Sequence, residues 1–142
     1  MAVRNAQAVW NGAFKEGAGT MTTGTGVSFD FSASTRFEDG QGSNPEELLG
    51  AAHAGCFSMA LAAGLGRNGF NPTRVATKAN VHINRVEAGF RVTLIELECE
   101  AVVPGIDDAK FQEIAEATKT GCPISAALAA TPINLNAKLV SA

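Results

Sequence analysis

The apolar and polar positions change their rhythm several times along the chain, and each change marks an element. Residues 6 to 31 alternate loosely and carry hairpin glycines in "GAGTMTTGTGVSF", so they predict short strands. The stretch from Arg36 to Ser43, "RFEDGQGS", is polar and glycine-rich and reads as a loop. A long helix opens at Asn44, with Pro45 at its first position and Glu46 and Glu47 at the positive end of its dipole. Glu47, three residues after the Asn44 cap, suggests a capping box. Leu48, Ala52, Cys56, Met59 and Ala63 recur at helical spacing, and "GRNGFNP" stops the helix near Gly66. Residues 74 to 84 and 90 to 103 predict a strand pair turning around Glu87 to Gly89, with Ile95, Leu97, Cys99, Ala101 and Val103 on one face. A second helix is capped by Asp107 or Asp108, buries Phe111, Ile114, Ala115 and Thr118, and ends at Gly121. "PISAALAA" then starts a short helix with Cys122 at its cap, and "TPINLNAKLV" returns as a last strand. The sum is an α+β domain over residues 1 to 142.

The long helix is unusual in composition. Gly50, Gly55 and Gly64 lie inside it among many alanines, although glycine costs about 1 kcal/mol against alanine in an exposed helix. Small residues allow close approach of another backbone. This suits a helix buried in its own domain, and it also suits a second subunit packed on it.

Composition narrows the function. The 142 residues are 46% apolar, enough for one core without staples. A net charge of −3 and 6% aromatics argue against nucleic-acid binding. The apolar stretches look shorter than the ~20 residues of a membrane span, and the first 14 residues hold no apolar signal segment. No membrane association and a cytoplasmic location are therefore expected. Three cysteines, Cys56, Cys99 and Cys122, in a reducing compartment point to redox or metal chemistry before structural disulfides. With His53 and His82 there are five possible metal ligands but no closely spaced pairs, so no metal is expected. Cys99 reads as a small buried hydrophobe.

Cys56 and Cys122 are 66 residues apart, and spacing cannot say whether they meet. It does compare their reactivity. The thiolate is the nucleophile, and positive potential favours it. Cys122 has a helix start beside it. Cys56 lies three turns into its helix, beyond the terminal dipole, and would need a cation, with Arg36 the nearest in the preceding loop. Local pattern therefore ranks Cys122 as the more acidic thiol.

Two segments, "TRFEDGQGSNPEELLGAAHAGCFSMALA" and "VPGIDDAKFQEIAEATKTGCPIS", resemble the OsmC/Ohr family of organic hydroperoxide reductases. The "TRFE" loop favours the OsmC branch, and the likeness runs over essentially the whole chain. Gly55 stands where that family would lead one to expect Ala. The resemblance implies an OsmC-like fold: antiparallel sheets packed around a long central helix plus a second helix, in an intertwined homodimer. It implies that Cys56 attacks an organic hydroperoxide and becomes a sulfenic acid, and that Cys122 resolves it as a disulfide. An external dithiol, such as a lipoylated protein, would then reduce the disulfide. Arg36 would stabilise the thiolate and orient the peroxide, and Glu46 would hold Arg36. No cofactor or metal is implied, and the role would be protection against oxidative stress.

Glu46 and Cys56 are ten residues apart on one helix, about 15 Å along its axis. A glutamate cannot span that. If Glu46 organises an arginine beside Cys56, it is expected to come from the other subunit of a two-fold dimer. Two other readings remain open from the residues: a Cys56 hydrolase using His53 or His82 as base, and a redox sensor whose disulfide only reports oxidation.

Overall fold

The structure is a computed structural model that describes residues 1–141. It falls into two compact units, Met1–Leu48 and Leu49 onward.

The first unit is an antiparallel meander. Strands β1 (Ala6–Asn11), β2 (Ala18–Thr23) and β3 (Ser28–Phe31) pair in sequence order. Gly19 sits where a Cβ would come within 2.6 Å of the Phe31 ring, so the glycine lets Phe31 lie across β2 toward Trp10, whose ring centroid is 5.4 Å away. The expected loop from Arg36 to Ser43 needs correction at its start. A short helix, α1 (Ala33–Phe37), takes in Arg36 and Phe37. Ser32 caps it: the Thr35 N–H donates to the Ser32 hydroxyl, and the Ser32 N–H donates to the Thr35 hydroxyl. That reciprocal pair turns five residues into a helix that hydrophobic periodicity is too short to reveal.

The long helix α2 (Pro45–Arg67) starts where expected, with the Glu47 N–H donating to Asn44 Oδ1 at 2.8 Å, but the expected capping box is only half made. The Glu47 carboxylate takes the Ser43 hydroxyl at 3.2 Å. Its buried face is not the expected one. Gly50, His53, Phe57, Leu61, Gly64 and Leu65 are buried, whereas Ala52, Met59 and Ala63 are exposed, Met59 by 78%. The helix is apolar nearly all round, so several stripes satisfy the same spacing, and only bulk selects the core side. By length and composition α2 is also apolar enough to cross a membrane, contrary to the sequence expectation. His53, Ser58 and several glycines interrupt its apolar run. A core helix meets the same criterion, and here Phe57, Leu61 and Leu65 are fully buried in the second unit's core.

The rest of the second unit follows the sequence closely. β4 (Arg74–Val86) and β5 (Gly89–Val102) form a long antiparallel hairpin with a bulge at His82/Ile83. Gly89, at φ 108°, makes the turn that L-residues rarely adopt. Ile95, Leu97, Cys99 and Ala101 are at most 1% exposed. α3 (Asp108–Gly121) is capped by Asp107 and buries Phe111, Ile114, Ala115 and Thr118. α4 (Pro123–Ala127) follows, and β6 (Ile133–Leu139) joins β5 in parallel. The expectation of purely antiparallel sheets is corrected here: the second sheet is mixed, because the α3–α4 connection is long enough to bring β6 back in β5's own direction. α2 lies against β4, where Ser58 Oγ and Thr77 Oγ1 are 2.8 Å apart and Gly50 comes close to Ala79 and Val81.

Candidate active site

Cys122 sits at a junction that the chain builds twice over. It closes α3, its N–H donating to Thr118 O, and it caps α4, where its Sγ accepts from the Ser125 N–H at 3.4 Å. Pro123 at the first position of α4 fixes the turn between the two helices. The sulfur is therefore held by backbone and is fully buried. Cys56 projects from the middle of α2, half-buried, and its Sγ lies 3.3 Å from Cys122 Sγ. Both thiols are free. The pair that sequence spacing could not join is in contact, and modest closure would make a disulfide of about 2.05 Å.

The two thiols respond differently to these surroundings. Burial pushes the Cys56 thiol up, and sharing a proton with Cys122 adds to this, although the Ile124 N–H pulls partly the other way. Burial also acts upward on Cys122, but it is outweighed. The Ser125 hydroxyl and N–H, the Cys56 thiol and the Ile124 N–H all favour the Cys122 thiolate and bring its pKa below the ordinary value. This agrees with the ranking read from the helix start.

Arg36 and Glu46 form the other cluster, within the first unit. Arg36 Nη2 donates to Glu46 Oε1 at 2.6 Å, and Nε reaches both carboxylate oxygens at 3.1 Å. Glu46 is 8% exposed, in the first turn of α2, while Arg36 ends α1 and lies over the Phe37 ring at 5.4 Å. A guanidinium bound along its Nε edge is fixed in orientation and keeps Nη1 as a further donor.

Neither ring nitrogen of His53 hydrogen-bonds Cys56. It is fully buried, and its Nε2 is 2.7 Å from Ser125 Oγ. His82 is paired with Glu96 on the exposed side of the β4–β5 hairpin. Neither histidine supports the hydrolase reading. Cys99 is buried and its thiol is pushed up by that burial, as expected of a core residue. No group of three His, Cys, Asp or Glu among the described residues could hold a metal. A cleft of about 250 Å³ between α2 and α3 reaches Cys122, lined by Ala60, Gly64, Ile114 and Ala117 together with Arg67 and Glu113.

Residues 38–138 match the family described as OsmC-like protein. The chain belongs to this OsmC family. It is 49% identical over 129 residues to peroxiredoxin OsmC of Escherichia coli, covering 89% of this chain and 90% of that one. The organic hydroperoxide resistance protein of Xanthomonas axonopodis is 33% identical over 87 residues, covering 61% of this chain and 59% of that one. Within the family the chain thus stands on the OsmC side. The crystal structure of the organic hydroperoxide resistance protein OhrB of Bacillus subtilis superposes with a TM-score of 0.72 at 25% identity, over 96% of this chain and 98% of that one. The touching thiols are those of an OsmC-family, thiol-based peroxidase.

Sequence reasoning missed Ser125. The signal was available: a residue three after a helix cap donates its N–H to the capping side chain, and Cys122 had been placed at that cap. The partnership of His53 with Ser125, 72 positions away, had no local signal.

Proposed function

We propose that the chain, as one peroxidase domain over residues 1–142, reduces organic hydroperoxides to alcohols in the cytoplasm, with Cys56 as nucleophile and Cys122 as resolving thiol. The observation that carries this is the 3.3 Å contact between two free thiols, one half-exposed and one fully buried. Cys56 is the more exposed of the two sulfurs and so the one placed to meet a substrate first. Its thiolate attacks the terminal oxygen of R–O–OH, and the O–O bond breaks. RO⁻ leaves and takes a proton as ROH, and Cys56 becomes a sulfenic acid. Cys122 then attacks the Cys56 sulfur, the S–S bond forms, the S–O bond breaks, and water leaves. An external dithiol, of which a lipoylated protein is a candidate, returns the disulfide to two thiols by exchange and is itself oxidised.

Cys56 needs positive charge to ionise, because burial raises its pKa. Arg36, aligned by Glu46, supplies it in this proposal. Ten residues of α2, about 15 Å of helical rise, separate Glu46 from Cys56. The Arg36–Glu46 pair therefore comes from a second copy of the chain in a two-fold dimer. The exposed small-residue stripe of α2, with Ala52, Gly55 and Ala63, suits close packing of that copy. The proposed reaction needs no cofactor, because the thiols supply both electrons.

The test is steady-state consumption of cumene hydroperoxide with a dithiol, comparing wild type, Cys56→Ser and Cys122→Ser. Turnover is expected only in wild type, with a single oxidation in Cys122→Ser. Full turnover in Cys56→Ser would overturn the assignment.

A further inference from the structure

His53 is a fully buried histidine that the peroxidase steps above do not use, and its geometry ties it to the resolving thiol. Its Nε2 is 2.7 Å from Ser125 Oγ. Ser125 in turn donates its N–H to Cys122 Sγ at 3.4 Å, which brings its hydroxyl beside the sulfur, where it favours the thiolate. The other ring nitrogen, Nδ1, is buried with no hydrogen-bond partner.

A Ser125 hydroxyl that favours the Cys122 thiolate sets the direction of the protons. A serine hydroxyl has one hydrogen. If Ser125 donates it to Cys122, then Nε2 must be the donor to Ser125 Oγ. Burial lowers the pKa of His53, so the ring is neutral and carries a single proton. That proton sits on Nε2, and the orphaned Nδ1 is a bare acceptor. A bare buried nitrogen is costly, and it persists because the alternative tautomer would take the serine hydrogen away from the sulfur.

We infer that His53, as its Nε2–H tautomer, is a positioning residue that aims the Ser125 hydroxyl at Cys122 and keeps the resolving thiol ready as a thiolate. The inference deepens the proposed function and rests on its assignment of Cys122 as resolving thiol. It gives that thiol a means of attack although its side chain is fully buried. Cys122 gives up its proton before the step. Its sulfur attacks Cys56 Sγ, the S–S bond forms and the S–O bond breaks, and the departing hydroxide leaves as water by taking from solvent a proton equivalent to the one Cys122 released there. His53 ends the step with the proton it began with. The other titratable or charged groups around Cys122 are Cys56 and Arg67 of α2 and Glu113 of α3, the last two lining the cleft that reaches it.

The experiment measures the pH dependence of iodoacetamide alkylation at Cys122, located by peptide mass spectrometry in the Cys56→Ser protein. Ser125→Ala and His53→Leu are expected to raise the Cys122 pKa by about one unit, a roughly tenfold loss of thiolate near neutrality. His53→Gln, whose amide nitrogen can replace Nε2–H, is expected to recover most of the shift. With Cys56 restored, the same two variants are expected to slow disulfide formation about tenfold at neutral pH, with the deficit vanishing at alkaline pH. Formation of the Cys56 sulfenic acid is expected to keep its rate. Ser125→Ala removes a single buried oxygen and keeps the test open if His53→Leu misfolds. An unchanged Cys122 pKa in folded Ser125→Ala overturns the inference, whether or not the protein consumes peroxide. Equal shifts for His53→Gln and His53→Leu do so as well.

Discussion

Cys56 and Cys122 touch, yet different kinds of structure hold them. Cys122 lies where two helices meet, and its own chain supplies its donors: the Ser125 hydroxyl and N–H and the Ile124 N–H. Cys56 lies mid-helix, where every backbone N–H of the preceding turn is spent within α2. Burial therefore lowers neither thiol, but only Cys122 receives enough hydrogen bonds to overcome it. The difference matches two requirements of the proposed reaction. A resolving thiol meets one partner, always from the same side, so fixed local donors suffice. A peroxidatic thiol must stay open to substrate, and the charge that activates it has to arrive from elsewhere.

The largest effect is expected from removing the thiols in turn. Cys56→Ser should bring peroxide turnover to background. Cys122→Ser should oxidise once and stall, as shown by loss of one free thiol per chain without sustained dithiol consumption. Equal behaviour of the two variants would erase the distinction between the sites.

A smaller but still large effect is expected at the borrowed charge. Arg36→Ala should lower kcat/KM for cumene hydroperoxide by about a hundredfold, the scale of losing one donor aimed at developing charge. Glu46→Gln, which leaves the arginine but loosens its aim, should cost roughly tenfold. Mixing Arg36→Ala chains with Cys56→Ser chains should restore part of the activity, because one of the two sites in a mixed dimer then receives a whole set. Recovery would sharpen the contrast between locally and remotely activated thiols, and its absence would break the dimer proposal.

Next in size is the pH ordering of the thiols. Alkylation of Cys122 in the Cys56→Ser protein should reach half its maximum below the ordinary thiol pKa, because the donors at the α4 start favour the thiolate. In the Cys122→Ser, Arg36→Ala protein, the Cys56 midpoint should lie above that ordinary value, since burial then acts with no cation against it. Reversal of this order would contradict the account of both sites.

The smallest effects concern the two faces of the helix that carries Cys56. Within one chain a Cβ at Gly55 would meet nothing within 4 Å, so Gly55→Ala should stabilise a separated chain by roughly 0.5–1 kcal/mol through helix propensity, and in the proposed dimer it should crowd the second copy. A Cβ at Gly64 would stand 3.2 Å from Ile114 Cγ2, so Gly64→Ala should gain less or lose stability. Urea midpoints of the two variants give the comparison.

Sequence legibility followed contrast. α3 was readable down to its buried residues because Phe111, Ile114, Ala115 and Thr118 face a strongly charged side. β5 was equally clear, its alternation being strict from Ile95 to Ala101. α2 was readable in its extent but not in its facing. When alanine and glycine fill every side, spacing cannot distinguish Phe57 and Leu61 inward from Met59 outward. α1 was hidden because a serine–threonine cap, not an apolar stripe, makes it helical. The parallel entry of β6 depends on how α3 and α4 cross over, which no local pattern records. At the site, the cap position of Cys122 was legible, since Pro123 and the following small residues announce a helix start. The contact of Cys56 with Cys122, the Arg36–Glu46 pair and the His53–Ser125 bond are all tertiary. The family resemblance implied the first two, and nothing implied the third.

The most direct test of the central claim is to trap the oxidised intermediate. The Cys122→Ser protein is treated with one equivalent of cumene hydroperoxide in the presence of dimedone, and the labelled residue is identified by mass spectrometry. The account expects the sulfenic-acid adduct on Cys56, and no adduct on Cys122 in the matching Cys56→Ser protein. An adduct on Cys122 in that second protein, formed at a rate comparable to wild-type turnover, would make the buried thiol the nucleophile and contradict the division of labour between the two.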